Sequence, residues 1–215
     1  SVGQIHLMSS FKNDFEQNEI KISQILLTLD DTEQRRRSIN ARRTIDTLLK
    51  LGIVPIVNEN DTIATTEIRY GDNDRLASRV AQISSSDCLI LLSNINGLYS
   101  ADPTNGEDIK LIPSVNEIDQ DIEKMIGESI SEYGKGGMKT KIQAAKTAML
   151  SGCHLAITNG SIMKPIRSLF EGRPCTWFEP NKSPMAARKQ WIAGTMNPVG
   201  KLVIDQGSAD PLKKG

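Results

Sequence analysis

Residues 134–141 are the segment of the sequence best suited to binding an anion, and they read Gly-Lys-Gly-Gly-Met-Lys-Thr-Lys. Glycine lets the backbone approach a ligand closely, and a helix predicted to begin at Lys139 would direct its unpaired N–H groups towards that ligand. Lys135, Lys139 and Lys141 add mobile positive charge where a polyphosphate would lie. The segment is not a Walker phosphate-binding loop, because the G-x-x-x-x-G-K-[ST] spacing is absent. A glycine-rich helix start with solvated lysines is the alternative interpretation, and the residues alone leave both open.

A second cluster, Gly71-Asp72-Asn73-Asp74, places two carboxylates and an amide at the predicted start of another helix. Helix capping accounts for one of these groups. The remaining groups are suited to an ammonium group, a lysine or Mg²⁺. Capping alone stays open as the alternative.

Polar residues also follow three predicted strands, where an open parallel sheet collects its ligands. Ordinary turn chemistry would produce the same composition, so both interpretations stand. The three loops begin with Asn58-Glu59-Asn60-Asp61, with Ser93-Asn94-Ile95-Asn96-Gly97 and with Asn159-Gly160.

The elements that must position these residues alternate between strands and helices, which predicts an α/β fold with a mainly parallel sheet. Pro55 is discordant within its strand because proline removes a donor from the ladder. The proline-containing stretch 172–187 is typical of a linker. The predicted helices are Ser38–Leu51, Asp74–Ile83 with Asp72 or Asn73 as N-cap, and Lys139–Leu150, and the predicted strands are Ile53–Val57, Cys88–Leu92 and His154–Thr158.

The composition is that of an ordinary globular protein. Lysine plus arginine and aspartate plus glutamate number 26 each, so the net charge gives no indication of binding to nucleic acid or to a membrane surface. No apolar run approaches the length of a membrane-spanning helix. Cys88, Cys153 and Cys175 lack metal-type spacing and predict reduced, buried thiols. We therefore expect a soluble, cytoplasmic protein.

Five motifs, taken together, resemble those of the glutamate 5-kinases, which are members of the amino acid kinase family. The resemblance extends from Ser1 to about Phe178, and residues 187–192 and 203–207 are similar to the linker and first strand of a PUA domain. The motifs occur in the family's order and spacing, and they are Asn40-Ala41-Arg42, residues 54–61, Gly71-Asp72-Asn73-Asp74, Gly97-Leu98-Tyr99 with Asp102-Pro103, and residues 136–141.

The resemblance implies a three-layer α/β/α sandwich that binds ATP and glutamate in neighbouring clefts. By position, Lys141 is similar to the lysine that stabilises the transferring phosphoryl group, and Asp74 to the aspartate that orients the catalytic lysines. Asp61 and Asn73 are similar to residues that hold glutamate. The nucleotide site would comprise Ser93, Asn94, Lys135, Gly136, Gly137, Met138, Lys139, Thr140 and Lys141.

The sequence departs from the family pattern in three ways. Ser93-Asn94 stands where the family has Thr-Asp, which removes a negative charge. The family's first strand, with its Lys-x-Gly-Ser loop and the later Ser-Ser-Gly-Ala loop, has no counterpart. Both ends of the chain look cut, because it begins at Ser1 instead of Met and stops directly after a strand-like stretch. The PUA domain is only begun: we expect a kinase domain over 1–178, a linker over 179–188 and an incomplete β stub over 189–215.

The resemblance implies transfer of the γ-phosphate of ATP, with Mg²⁺, to the side-chain carboxylate of L-glutamate, which is the first step towards proline. We expect weak or absent turnover from this chain alone and a homo-oligomeric protein that binds neither membranes nor nucleic acid. Two alternatives remain open. One is a kinase of the same family with another substrate, and the other is a non-catalytic remnant or regulatory partner of the same fold.

Overall fold

Strands and helices alternate along the chain in the computed structural model, which describes residues 2–60, 62, 72–101, 109–123, 135–182 and 186–187. No helix in these ranges is long and apolar enough to cross a bilayer. The helices are α1 (Val2–Glu16), α2 (Leu29–Glu33), α3 (Arg35–Lys50), α4 (Asp72–Ser84), α5 (Lys135–Leu150) and α6 (Pro165–Phe170), and the strands are β1 (Lys21–Leu27), β2 (Ile53–Glu59), β3 (Cys88–Ser93), β4 (Ser114–Val115), β5 (His154–Asn159) and β6 (Cys175–Phe178).

The described strands form two sheets. β1 and β2 pair in parallel, and a second sheet has the order β3-β5-β6-β4. In that second sheet β3 is parallel to β5 and β4 is parallel to β6, whereas β5 and β6 are antiparallel. The predicted α/β class with mainly parallel pairing is therefore confirmed.

The three predicted strands are present as β2, β3 and β5, each slightly longer than predicted. Pro55 lies within β2, opposite Ser23 of β1. Among the described residues β2 pairs with β1 alone, so one of its edges carries no ladder there. Proline is tolerated on such an edge strand.

All three predicted helix starts were wrong, because each helix begins earlier. α3 starts at Arg35 instead of Ser38. α4 starts at Asp72, which places Asp72 and Asn73 in its first turn instead of at its cap. α5 starts at Lys135, so residues 135–138 are the first turn of the helix and not a loop. Glycine is unfavourable in the middle of a helix, but the first turn tolerates it where the following residues favour the helix.

The predicted linker over 172–187 was wrong for its first half, because β6 occupies Cys175–Phe178. Thr176 and Phe178 are completely buried, and both belong to the face of the strand that packs inward. The alternation of inward and outward residues over four positions was too short to stand out among the neighbouring prolines.

The main core lies between α5 and the four-stranded sheet. Ala144, Ala145 and Ala148 of α5 are fully buried in it, and these small side chains let the helix approach the sheet closely. α4 contributes Ala81 to this core and Leu76 to a second cluster on the β1–β2 side. α4 therefore packs against both sheets, and these contacts hold its first turn between them.

Thr176 joins three segments through its hydroxyl. The Thr176 Oγ1 accepts a hydrogen bond from the Leu98 N–H at 2.8 Å and donates one to the Ile112 carbonyl at 2.6 Å. Gly97 allows this approach, since a Cβ at that position would lie 2.3 Å from Thr176 Oγ1 and 2.8 Å from its backbone nitrogen. The glycine of the Gly97-Leu98-Tyr99 motif is thus explained by packing.

Replacing the buried hydroxyl should destabilise the fold. We expect Thr176→Val to lower the free energy of unfolding by about 2 kcal/mol or more, because each buried group left unpaired costs roughly 1–3 kcal/mol. Urea unfolding measures the effect. Thr47→Val is the control, since the exposed Thr47 hydroxyl bonds only the Arg43 carbonyl of its own helix. Equal stabilities for the two variants would contradict this account.

The three cysteines are free thiols, but they are not all buried as predicted. Cys153 is buried, and its burial raises the pKa of its thiol to about 12. Cys88 is exposed because it is the first residue of β3. Partial burial and the Asp87 carboxylate raise the pKa of the Cys88 thiol as well.

These differences predict selective alkylation of the folded chain. N-ethylmaleimide should label Cys88 at pH 8, whereas Cys153 should react only after unfolding, because its thiolate is scarce and its sulfur is inaccessible. Mass spectrometry of the labelled peptides gives both rates. Labelling of Cys153 as fast as Cys88 in native buffer would show that the core is not packed as described.

Candidate active site

The first turns of α4 and α5 lie at one edge of the four-stranded sheet. α5 ends at Leu150 and β5 begins at His154, so the helix runs back along the strand and starts near its carboxyl end. α4 and β3 are joined in the same way. β3 and β5 are parallel and in register, with Ser93 opposite Asn159. Two helix starts and two strand ends therefore converge.

An ion pair joins the second turn of α5 to the first turn of α4. The Lys141 Nζ lies 2.9 Å from the Asp74 Oδ2 and donates a hydrogen bond to it. The Thr140 hydroxyl donates to the same oxygen at 3.1 Å. The Lys141 and Asp74 side chains are only 15% and 17% exposed, so solvent and salt screen this pair less than a surface ion pair.

The pair fixes the position of a positive charge. Asp74 accepts one N–H of the Lys141 ammonium group, and Lys141 has no other hydrogen-bond partner in the described parts of the chain. The other two donors of the ammonium group therefore have no partner among the described residues. Lysine is a compact point charge on a flexible stem, and a carboxylate that holds the ammonium group restricts where it can lie.

The residues after β3 and β5 are held together. The Gly160 N–H donates to the Ser93 carbonyl at 2.7 Å. A Cβ on Gly160 would lie 2.8 Å from the Leu92 Cβ, so glycine is needed for this approach. The Ser93 hydroxyl donates to the Asn94 Oδ1 at 3.3 Å, and the Asn94 side chain is exposed. Two of the three polar loops singled out by sequence are thus neighbours.

Other sequence-predicted site residues occupy different environments. Asn73 is exposed in the first turn of α4, beside Asp74, and Lys139 is exposed on α5. The Met138 side chain packs against the main core, so only its backbone could contact a ligand at this edge. Lys135 and Gly136 belong to α5, but their side chains lie outside the described residues, as does Asp61.

One contact near the strand ends escaped the sequence analysis. The Asn58 Nδ2, near the end of β2, donates to the Gln4 Oε1 in the first turn of α1 at 2.8 Å. Asn58 had been noted within a polar loop, but Gln4 had not. No local pattern indicates this contact, because the two residues are 54 positions apart.

Within the described ranges, no three His, Cys, Asp or Glu side chains lie together in a way that could hold a metal ion. The one carboxylate of this site that the structure describes, that of Asp74, already accepts from Lys141 and Thr140.

The chain is similar over its whole length to bacterial proteins named glutamate 5-kinase. It is 58% identical to that of Pelagibacter ubique and 53% identical to that of Paramagnetospirillum magneticum, over 215 residues in each case. These 215 residues span 58% of the length of each relative. The chain thus covers little more than half of the proteins that it matches.

Solved structures show the same fold at low sequence identity. UMP kinase from Ureaplasma parvum matches with a TM-score of 0.55 and 13% identity, over 79% of this chain and 65% of that one. An isopentenyl phosphate kinase in complex with its substrate gives 0.51 and 12%, over 82% and 67% of the two chains. At such identities the likeness shows the fold alone.

The family assignment comes from the sequence profile of the amino acid kinase family, which matches residues 1–159. This match covers more than half of the chain and includes β1 to β5 together with the first turns of α4 and α5. The α/β fold and the convergence of these helix starts on the strand ends agree with it. The chain therefore belongs to the amino acid kinase family.

Proposed function

We propose that the protein to which this chain belongs transfers the γ-phosphate of ATP to the side-chain carboxylate of L-glutamate, producing glutamyl 5-phosphate for proline biosynthesis. The observation that carries the proposal is the ion pair between Lys141 and Asp74 at the sheet edge. The choice of glutamate is supported by the relatives named glutamate 5-kinase at 58% and 53% identity.

Phosphoryl transfer requires positive charge and positioning more than it requires proton transfer. Negative charge spreads over the three equatorial oxygens of the transferring group, and a fixed cation stabilises it. Lys141 would supply this cation, and Asp74 would hold it in place. Since Asp74 accepts from only one of the three donors of the Lys141 ammonium group, that group can contact the phosphoryl oxygens without leaving Asp74.

The acceptor needs no general base. A glutamate side chain has a reference pKa of about 4.3, so it is already ionised at neutral pH. One carboxylate oxygen would form a bond to the γ-phosphorus while the bond from that phosphorus to the oxygen bridging to ADP breaks. No proton is removed from the nucleophile.

The nucleotide would be held by the start of α5 and by the residues after β3. The first N–H groups of a helix have no partner within the helix and point towards its start, where they can bind phosphate oxygens. In α5 these include the N–H groups of Lys135, Gly136 and Gly137. We propose that Thr140, Ser93 and Asn94 complete the site, with Lys139 contributing charge. Mg²⁺ would enter with the phosphates of ATP.

Glutamate would lie on the other side of Asp74, where we propose that Asn73 and Asp61 bind it. Asn73 supports this placement because it is exposed and adjacent to Asp74 in the first turn of α4. An amide and a carboxylate suit the carboxylate and ammonium groups of an amino acid.

The wider organisation also remains a proposal. β6 ends at Phe178, whose side chain is completely buried, and this supports a kinase domain that ends near residue 178. We propose a linker over 179–188 and the beginning of a PUA domain over 189–215. The greater length of the relatives supports further structure in the native protein, which we propose is a cytoplasmic homo-oligomer.

Removing the Lys141 charge should affect catalysis strongly. In the native protein that carries this chain, we expect Lys141→Met to lower kcat about a hundredfold or more, as losses of single charge-stabilising donors do. Glutamate-dependent ADP release measures kcat.

Lys146→Met is the matched control. Lys146 lies on the same helix, but it pairs with Glu123 on the surface, so we expect kcat to stay within about twofold. A Lys141→Met enzyme with near-normal kcat would contradict the proposed role. A wild-type enzyme that releases ADP with another acid or phosphate, but not with glutamate, would overturn the proposed substrate.

A further inference from the structure

The hydrogen bond between Gln4 and Asn58 lies at the edge of the β1–β2 sheet where both strands have their carboxyl ends. α1 ends at Glu16 and β1 begins at Lys21, so α1 runs back along β1 and starts near its carboxyl end. β2 is parallel to β1 and ends at the same edge, with Asn58 opposite Leu26. The first turn of α1 and the end of β2 therefore meet, and the 2.8 Å hydrogen bond between Asn58 and Gln4 joins them.

This edge is also close to α4, which carries Asp74. Leu76, two positions after Asp74, packs in one cluster with Leu27 and Val57, the neighbour of Asn58. Successive side chains of a strand point to opposite faces, so Val57 faces α4 while Asn58 faces α1. A ligand at the end of β2 would thus lie between Asp74 on one side and Asn58 on the other.

The Gln4 amide is unusual because its nitrogen has no hydrogen-bond partner among the described residues. Its Nε2 is the one buried side-chain nitrogen or oxygen without a hydrogen bond among the described residues. Burying an unpaired donor is unfavourable, so such a group in a folded protein calls for an explanation, and a functional role is one of them. The bond from the Asn58 amide is the one side-chain hydrogen bond of Gln4 among the described residues.

The hydrogen bond to Gln4 also determines the direction of the other polar atom of the Asn58 amide, Oδ1. Because the Asn58 Nδ2 is committed to Gln4, its Oδ1 points away from Gln4. This oxygen has no partner among the described residues, and it is not one of their buried unpaired atoms. Within the described ranges it is an acceptor without a donor, and such an acceptor suits an ammonium group and not a carboxylate.

We propose that Gln4 is a positioning residue for the amino acid substrate. It fixes the Asn58 amide so that Oδ1 faces the cleft and accepts a hydrogen bond from the α-ammonium group. This inference rests on the proposed function, and it assigns to Gln4 a part in selecting an amino acid over an acid that lacks the ammonium group.

The test compares Gln4→Met with wild type in the native full-length protein. Methionine has a similar length but cannot accept from Asn58, so Asn58 becomes free to rotate. We expect the KM for glutamate to rise about tenfold, the loss typical of a hydrogen bond to a charged group, while kcat and the KM for ATP stay within about twofold. The preference for glutamate over glutarate should fall by a similar factor.

The melting temperature separates this role from a structural one. Gln4→Met also removes the unpaired buried N–H, so we expect a Tm no lower than that of wild type. Gln4→Glu keeps an acceptor for Asn58 and should restore the KM for glutamate to within about twofold of wild type. Gln17→Met, at an exposed position just after α1, is the control and should change neither quantity.

Several outcomes would overturn the inference. An unchanged KM for glutamate in Gln4→Met would do so, and so would equal increases in the KM for glutamate and ATP. A lower Tm accompanied by a proportional loss of kcat would show that Gln4 acts only in folding. A wild-type protein inactive with glutamate would overturn the proposed function as well, which distinguishes the two failures.

Discussion

The ion pair between Lys141 and Asp74 is the interaction on which the proposed chemistry depends. Asp74 lies in the first turn of α4 and Lys141 in the second turn of α5, 67 positions apart in sequence, yet their charged atoms lie 2.9 Å apart. A lysine on a flexible stem is a poor catalyst unless its charge is held in place. Asp74 provides that restraint and accepts from only one of the three ammonium donors, so a single carboxylate defines where a phosphoryl group can be stabilised.

Packing at a distance from this pair holds the two helix starts in place. Three buried alanines let α5 lie close to the four-stranded sheet, and α4 is anchored through Leu76 and Ala81 to two hydrophobic clusters. Gly160 lets the residues after β5 meet those after β3. The site is therefore formed by rigid elements that end at a common edge, and the polar groups there owe their geometry to apolar contacts elsewhere.

The sequence predicted the central strands well because their apolar runs are bounded by polar turns. It also predicted the end of α3, where Gly52 has a positive φ of 70°. It failed where competing signals were local: glycines concealed the start of α5, and prolines concealed β6. Residues before α3 drew no prediction of strand or helix. The clusters that contain Asp74 and Lys141 stood out by residue type, but the catalytic role of each residue came from the family resemblance, since no periodicity relates the two positions. The contact between Gln4 and Asn58 was beyond local reasoning because tertiary packing alone brings these residues together.

A double-mutant cycle on kcat tests the central claim most directly, with Asp74→Asn and Lys141→Met made singly and together in the native protein. If Asp74 acts by holding Lys141, removing the carboxylate should cost little once the lysine is gone, and the double variant should resemble Lys141→Met. If the two losses instead multiply, the residues act independently, and the account of a lysine positioned by its aspartate is contradicted.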